Sequence, residues 1–243
     1  MCTSVIYRDL ENQSIFLGFN RDESVKRKKA ISPSIEKIND VEVLCPKDGD
    51  YGGTWIGVNS TGEIFAILNF YEAQLKILRN PVSRGLLLRS VLFKEIALDG
   101  IDAQGLVKYY PFRIIKINYS TVMLFEWNGE SIHTQEDAGK WQVFGSSFTL
   151  GKKAEIERRR LFEEKFLPDI KNFQDMENTS IRFLTSHIPE AGALSPCMHR
   201  REARTVSQTL ITLRKNVVSM KYKNSPPCET EEFENFSMPI VGH

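Results

Sequence analysis

Cysteine and histidine are both scarce in this chain of 243 residues, and neither is clustered along it. The cysteines are Cys2, Cys45, Cys197 and Cys228, and the histidines are His133, His187, His199 and His243. They form no CxxC pair and no local Cys/His group, whereas zinc sites are usually built from closely spaced ligand pairs. We therefore expect no metal ion and no other cofactor. Dispersed cysteines in a chain long enough to bury a full core also favour a reducing, cytoplasmic location.

Long apolar runs are lacking as well. Stretches such as Ile64–Leu68 span a handful of residues, while a transmembrane helix needs about 20. The first residues, MCTSVIYRDLENQ, do not combine a basic start, an apolar run and a small-residue cleavage site. We expect neither a membrane-spanning segment nor a signal peptide.

An excess of one charge sign is also missing, because 32 Lys and Arg oppose 31 Asp and Glu and leave a net charge of +1. A protein with so little net charge lacks the positive electrostatic field that attracts proteins to nucleic acid or anionic membranes. We expect a small-molecule substrate or a hydrophobic ligand as partner, no nucleic acid, and an oligomeric state that stays open. The basic runs at 26–29 and 158–160 are expected to be solvated surface.

The patterns that are present predict runs of strands and runs of helices. Strands are predicted at 4–7, 14–18, 41–44, 53–58, 63–70, 113–118, 121–127, 205–213 and 217–222, and helices at 82–98, 101–109, 152–166 and 178–187. Apart from the predicted strand at 41–44, residues 24–50 are interpreted as a long surface loop. Such segregated runs favour an α+β layered fold over a doubly wound sheet. No repeat or linker divides the chain, so we expect one domain over 1–243.

Position 2 carries the most distinctive chemistry. If Met1 is removed, as is usual before a small residue, Cys2 holds a thiol and a free α-amine on one residue. An unperturbed α-amine has a pKa of about 7.7–8.0 and can accept the proton of the thiol near neutral pH. One residue would then supply both nucleophile and base. The alternative is that Cys2 is a small residue that enters a strand.

Four polar residues, Asn20–Glu23, follow the second predicted strand. A hairpin that returns beside Cys2 would bring Asp22 to the α-amine, which its carboxylate could orient. The same return would let Arg21 lower the pKa of the thiol or bind an anionic substrate group. A plain polar loop is the alternative.

Three later features are candidates for ligand contacts. Gly52–Asn59 combines paired glycines, which permit a close backbone approach, with the flat apolar face of Trp55. Asn69 ends an apolar strand and must either bond to backbone or face a site, where its amide can donate to an oxyanion. Residues 83–85 open a predicted helix whose backbone N–H groups could join Arg84 in binding an anion. Core packing and helix capping are the alternatives.

Taken in order, these motifs resemble the NRDE family, also called the transport and Golgi organisation protein 2 family. The matching segments are Met1-Cys2, Asn20–Glu23, Gly52–Asn59, Leu68-Asn69, Ser83–Leu86, Leu194–Pro196 and Thr205–Leu213. The similarity covers nearly the full chain, densely up to about residue 90 and sparsely after it. That family is itself similar to the cysteine branch of the N-terminal-nucleophile hydrolases, which contains bile salt hydrolases and penicillin V acylase.

This resemblance implies a four-layer αββα sandwich and cleavage of amide bonds that are not in a peptide chain. It implies that Cys2 is the nucleophile, that Asp22 orients its amine and that Asn69 donates to the oxyanion, with Arg21 as a further catalytic candidate. The candidate substrate-binding residues are Asn20, Trp55, Arg84, Ser146 and Arg204.

The sequence departs from the family pattern at three places. The hydrolases carry an arginine just before the Asn-x-Asp segment, where this chain has Phe19, and Arg21 is the candidate replacement. Phe144–Ser147 stands where Gly-x-Ser-Asn is usual and lacks the second amide. Residues 203–206 read Ala-Arg-Thr-Val where Tyr-Gly-Thr-Arg is usual, so the arginine has moved or been replaced.

Two functions from different classes stay open at this point. In the first, an amidohydrolase, Cys2 attacks a carbonyl carbon and water later releases the thioester. In the second, a non-catalytic carrier or trafficking protein binds a lipid or haem-like ligand in a pocket lined by Trp55, Phe70 and Tyr71. The free N-terminus separates the two, because only the enzyme needs it.

Overall fold

The computed structural model describes residues 2–73 and 77–241. In these residues the strands are β1 (Cys2–Asp9), β2 (Ser14–Ser24), β3 (Ile31–Ile38), β4 (Val41–Lys47), β5 (Ile56–Asn59), β6 (Ile64–Asn69), β7 (Phe112–Ile117), β8 (Val122–Trp127), β9 (Ile132–Asp137), β10 (Trp141–Ser146), β11 (Ala203–Arg214), β12 (Val217–Lys223) and β13 (Glu234–Pro239). The α-helices are α1 (Arg84–Leu92), α2 (Ala103–Leu106), α3 (Lys152–Lys165) and α4 (Phe173–Thr185). The fold is therefore mixed and rich in sheet.

Contacts divide the chain into two compact units, each drawn from distant parts of the sequence. The first takes its described residues from Met1–Arg27, Gly139–Lys215 and Ser219–Phe236. The second takes them from Lys28–Ala138, Asn216–Val218 and Ser237–His243. The expectation of one domain over 1–243 stays a prediction.

The first unit is built around a six-stranded sheet with the order β10-β1-β2-β11-β12-β13. The predicted hairpin of β1 and β2 is confirmed, and both strands pair antiparallel with their neighbours. Side chains alternate between the two faces of a strand, so Val5, Tyr7 and Phe16 lie together in the core cluster that contains residues of α3 and α4. By the same alternation, Cys2 and Arg21 lie on the face opposite these helices.

The second unit is built around a seven-stranded sheet in which β3 to β9 follow one another in chain order. Each strand pairs antiparallel with the next, from β3 through β9. Helix α1 packs against β5 and β6. Neighbouring strands are thus consecutive in the chain, and the long connection from β6 to β7 carries α1 and α2.

The loop expected at 24–50 is wrong, because β3 and β4 occupy most of it; the predicted strand at 41–44 is confirmed within β4. Asn39 and Asp40 join the two strands with φ angles of +47° and +67°, values that Asn and Asp tolerate in hairpin turns. Strand β3 lies at the edge of its sheet and is largely solvent-accessible. An edge strand that is largely solvent-accessible needs no apolar face. The alternation of apolar and polar residues by which a strand is predicted is therefore weak in β3.

The predicted helices are present, but their ends differ. Helix α1 ends at Leu92 rather than near 98, and Lys94 has a φ of +58° that breaks the helical path. The stretch predicted at 101–109 shortens to the single turn α2. Helix α4 begins at Phe173 because the side chain of Asn172 accepts a hydrogen bond from the backbone N–H of Asp175 at 3.0 Å. Among the described residues, no helix has both the length and the apolar character needed to cross a bilayer.

Candidate active site

Cys2 lies at the start of β1, a central strand of its sheet. It is paired with Ser146 of β10 on one side and with Arg21 of β2 on the other. Directly paired residues on antiparallel strands place their side chains on the same face. The Cys2 backbone nitrogen donates a hydrogen bond to Ser146 Oγ at 3.0 Å, in a buried environment. This nitrogen is the atom that becomes the α-amine when Met1 is removed; Met1 itself lies outside the described residues.

Asp22 lies next to the Cys2–Arg21 pair and is buried, with 3% of its surface exposed. The hydroxyl of Thr205 donates to its Oδ1 at 2.6 Å. The sequence interpretation that Asn20–Glu23 follows the end of the strand is wrong, because β2 continues to Ser24. The buried polar side chains of this strand are tolerated because they are hydrogen-bonded, Asn20 to two carbonyls and Asp22 to Thr205.

Burial is the main cause of the pKa shifts of Cys2 and Asp22. It raises the pKa of the Cys2 thiol, and the Asp22 carboxylate raises it further, whereas the Asp22 backbone N–H and the Arg21 guanidinium lower it. Burial also raises the pKa of Asp22, while the charge of Arg158 opposes that shift. A thiol with a raised pKa is protonated at neutral pH, so its reactivity depends on a base within reach.

Arg158 of α3 is the main member of the site that the sequence interpretation misses. Its Nη1 donates to the Cys2 carbonyl at 3.1 Å, while Nη2 and Nε donate to the carbonyls of Ala193 and Leu194 at 3.1 and 3.2 Å. Burial lowers the pKa of this guanidinium, and the charge of Asp22 opposes the shift. The buried guanidinium of Arg158 is therefore hydrogen-bonded to the start of β1 and interacts with the charge of the buried Asp22 carboxylate.

The expectation that residues 158–160 are solvated is wrong for Arg158 and holds for the exposed Arg159 and Arg160. The buried positions of α3 are Ala154, Glu155, Arg158 and Phe162. They form one stripe at helical spacing, so the amphipathic pattern itself places Arg158 on the inner face. Reading the three arginines as one charge run conceals this position.

Asn20 and Arg204, two predicted substrate-binding residues, lie in very different surroundings. Asn20 is fully buried; its amide donates to the carbonyls of Leu184 and Pro196 at 2.6 and 3.0 Å and accepts from Gln208 at 3.3 Å. These bonds tie the last turn of α4 and the loop after it to the sheet, and they favour a structural role. Arg204 is exposed and forms an ion pair with Glu229 at 3.6 Å. Substrate binding by either residue stays a prediction.

The remaining candidates, Asn69, Trp55 and Arg84, belong to the second unit. Asn69 ends β6, and its amide donates to the hydroxyl of Tyr71. Trp55 precedes β5 and is 6% exposed. Arg84 begins α1 and donates to the carbonyl of Pro111 at 3.0 Å. Their roles in catalysis and substrate binding stay predictions.

Gly53 of the Gly52–Asn59 motif serves a close backbone contact within the second unit, whereas a Cβ atom at Gly52 would meet no atom within 4 Å. Thr54 N–H donates to the carbonyl of Gly85 at 3.0 Å. A Cβ atom at Gly53 would lie 2.5 Å from the Gly85 carbonyl carbon and 2.6 Å from the Leu86 nitrogen. The motif therefore lets the start of α1 approach the strand that follows Gly53.

We predict that Gly53→Ala destabilises the protein by about 2–3 kcal/mol, because backbone must move to admit the methyl group. Gly100→Ala is the matched control, since its Cβ would meet only the Cβ of Ala97, at an ordinary 3.9 Å; its effect should stay within about 0.5 kcal/mol. Urea unfolding followed by circular dichroism measures both. Equal stability of the two variants would contradict the packing role of Gly53.

Comparison with solved structures identifies one class of fold. The Caenorhabditis elegans ortholog of N-acylethanolamine-hydrolyzing acid amidase aligns with a TM-score of 0.57 and 14% identity, over 86% of this chain and 92% of that one. A variant of the conjugated bile acid hydrolase from Clostridium perfringens aligns with a TM-score of 0.52 and 13% identity, over 98% of this chain and 92% of that one. The fold therefore resembles that of N-terminal-nucleophile hydrolases.

The family follows from the sequence. The profile of the Transport and Golgi organisation 2 family matches residues 1–216. The chain belongs to this family, and the predicted resemblance is confirmed. No curated protein matches the sequence closely enough to count as a relative.

Proposed function

We propose that this protein is an N-terminal-nucleophile amidohydrolase that cleaves acyl amide bonds outside peptide chains, with Cys2 as nucleophile after removal of Met1. The observation that carries the proposal is the position of the Cys2 nitrogen, buried and 3.0 Å from Ser146 Oγ, beside a buried carboxylate at Asp22. The likeness to an acid amidase ortholog and to a conjugated bile acid hydrolase supports the same reaction class. A cytoplasmic location is part of the proposal.

The reaction needs one proton carrier and one nucleophile. The uncharged α-amine of Cys2 takes the proton of the thiol, and the sulfur forms a bond with the amide carbonyl carbon. The protonated amine then gives its proton to the leaving nitrogen as the C–N bond breaks. Water, deprotonated by the same amine, hydrolyses the thioester and restores the thiol. Ser146 Oγ and Asp22 orient the amine throughout.

The reaction also needs donors that stabilise the oxyanion. We assign that role to the amide of Asn69 together with one backbone N–H, and substrate contacts to Trp55 and Arg84. This assignment adopts the four-layer αββα sandwich of N-terminal-nucleophile hydrolases and a single domain over 1–243. Support for it comes from the likeness of fold.

A free N-terminus tests the proposal directly. Two forms of the protein are prepared, one that begins at Cys2 and one that carries an uncleaved N-terminal extension, and intact mass verifies both. We expect hydrolysis of fluorogenic acyl amides of graded chain length only by the first form, with a loss of about 10²-fold or more in the second, because the extension turns the base into an amide. Equal turnover by the two forms would contradict the mechanism.

A carrier of lipid or haem-like ligands is the second candidate, favoured by membership of the Transport and Golgi organisation 2 family. A carrier has no use for the α-amine, so both N-terminal forms would bind the ligand equally. Binding of fluorescent fatty acids or of haemin to the two forms, measured beside hydrolysis, separates the two functions.

A further inference from the structure

Four side chains with metal-binding atoms meet in the first unit. They are His187, Cys197, His199 and Cys228, and their ligand atoms all lie within 4.8 Å of one another. The spacing of these residues along the chain predicts no such group. The expectation that no Cys/His group forms is wrong, because the fold brings together residues that are up to 41 positions apart in the chain (228 − 187).

The distances in the cluster match a tetrahedral ion. With Zn–S near 2.3 Å and Zn–N near 2.0–2.1 Å, a tetrahedron separates its ligand atoms by about 3.3–3.8 Å. Cys197 Sγ lies 3.6 Å from Cys228 Sγ and 3.5 Å from His199 Nε2, and His199 Nε2 lies 3.2 Å from Cys228 Sγ. Three of the four ligand atoms are therefore separated by about the distances that a tetrahedral zinc ion requires. The His187 ring, 5.0 Å from that of His199, is near enough to complete the set.

The backbone holds the ligands in place from several sides. The N–H of Cys197 donates to the carbonyl of Ser186 at 3.1 Å, which fixes His187 beside it. The hydroxyl of Ser195 donates to the carbonyl of Cys197 at 2.7 Å. Cys228 lies in a turn closed by a hydrogen bond from Glu229 N–H to the Pro226 carbonyl at 3.0 Å. These hydrogen bonds fix the backbone that carries Cys197 and Cys228.

We propose that His187, Cys197, His199 and Cys228 form a structural zinc site. Binding Zn²⁺ removes one proton from each thiol, so two thiolates and two neutral imidazoles leave the site without net charge. Four protein ligands complete the tetrahedron, and a closed site of this kind is structural rather than catalytic. Thiolate and imidazole ligands also select zinc over magnesium and calcium, which prefer oxygen.

The position of the cluster gives zinc a clear effect on the fold. Met198, between two of the ligands, accepts from Thr205 N–H and donates to Thr205 Oγ1, both at 2.8 Å. The same hydroxyl of Thr205 donates to Asp22. Zinc therefore fixes the segment that holds Asp22 in place, and its removal should loosen that contact.

Metal analysis of the full chain, purified in a reductant without chelators, tests the proposal. We expect one zinc ion per chain by mass spectrometry of the elements, and a lower Tm after removal of zinc by a chelator. Cobalt(II) added to the metal-free protein should give the intense visible bands and the thiolate charge-transfer band of a tetrahedral sulfur-ligated ion.

Two exposed ligands allow substitution with little risk to folding. Cys228→Ser and His187→Gln should each weaken zinc binding by more than the roughly 10–100-fold that changes to outer-shell partners cost, while His133→Gln, an exposed histidine of β9, should keep the full zinc content. Failure of the reduced wild-type protein to bind zinc or cobalt would overturn the proposal. So would zinc binding that Cys228→Ser and His187→Gln leave unchanged, or a mass lower by two hydrogens with no metal, which would identify a Cys197–Cys228 disulfide.

Discussion

Cys2→Ala is expected to abolish acyl amide hydrolysis while the protein stays folded. Loss of the sulfur removes the nucleophile that attacks the amide in the proposed reaction, so turnover should fall to the background rate. Cys2→Ser keeps a weaker nucleophile beside the same α-amine and should retain a trace of activity. Steady-state turnover of the most active acyl amide, measured for all three proteins after N-terminal processing, checks both expectations.

Stability separates a chemical effect from unfolding. Removing one buried sulfur should cost on the order of 1 kcal/mol, and the Cys2 backbone nitrogen still reaches Ser146. Cys45→Ala is the matched control, because Cys45 is a buried cysteine of β4 in the second unit and has no part in the proposed reaction. Its turnover should equal that of the wild-type protein. Turnover retained by Cys2→Ala would refute the role of Cys2 whatever its stability.

Sequence reasoning predicts the pairing that builds the site because that pairing is local. The polar turn at 11–13 separates two apolar stretches, and a hairpin there must return the chain beside Cys2. This register pairs Cys2 with Arg21 and so places Asp22 one residue further along β2. The sequence misplaces both ends of β1 and the end of β2, since a central strand can carry buried polar residues that a pattern search assigns to a loop.

Long-range contacts are the part that the sequence does not reveal. Thr205 reaches Asp22 across 183 positions, and Arg158 reaches the Cys2 carbonyl across 156. Likewise, the ligands of the proposed zinc site come from a loop after α4 and from a turn after β12. Local periodicity places each residue on a face of its own element, but the partner across the unit depends on how elements pack.

Arg158→Met is expected to destabilise the protein by about 3–5 kcal/mol, because it leaves the buried Asp22 carboxylate without its main opposing charge. The substitution also removes the hydrogen bonds that the carbonyls of Cys2, Ala193 and Leu194 accept from Arg158. Arg160→Met is the control on the same helix. Arg160 is exposed and pairs with Glu157 at 2.9 Å, and such surface pairs contribute at most about 1 kcal/mol. Urea unfolding of the two variants measures the difference.

A double-mutant cycle distinguishes charge pairing from packing. If Arg158 acts through the Asp22 charge, Asp22→Asn should recover part of the stability lost in Arg158→Met, since the neutral amide no longer needs a buried cation. The two substitutions would then show an interaction energy of about 1–3 kcal/mol. Strict additivity would mean that Arg158 stabilises the protein only through its three carbonyl contacts, and the electrostatic role assigned to it beside Cys2 would be wrong.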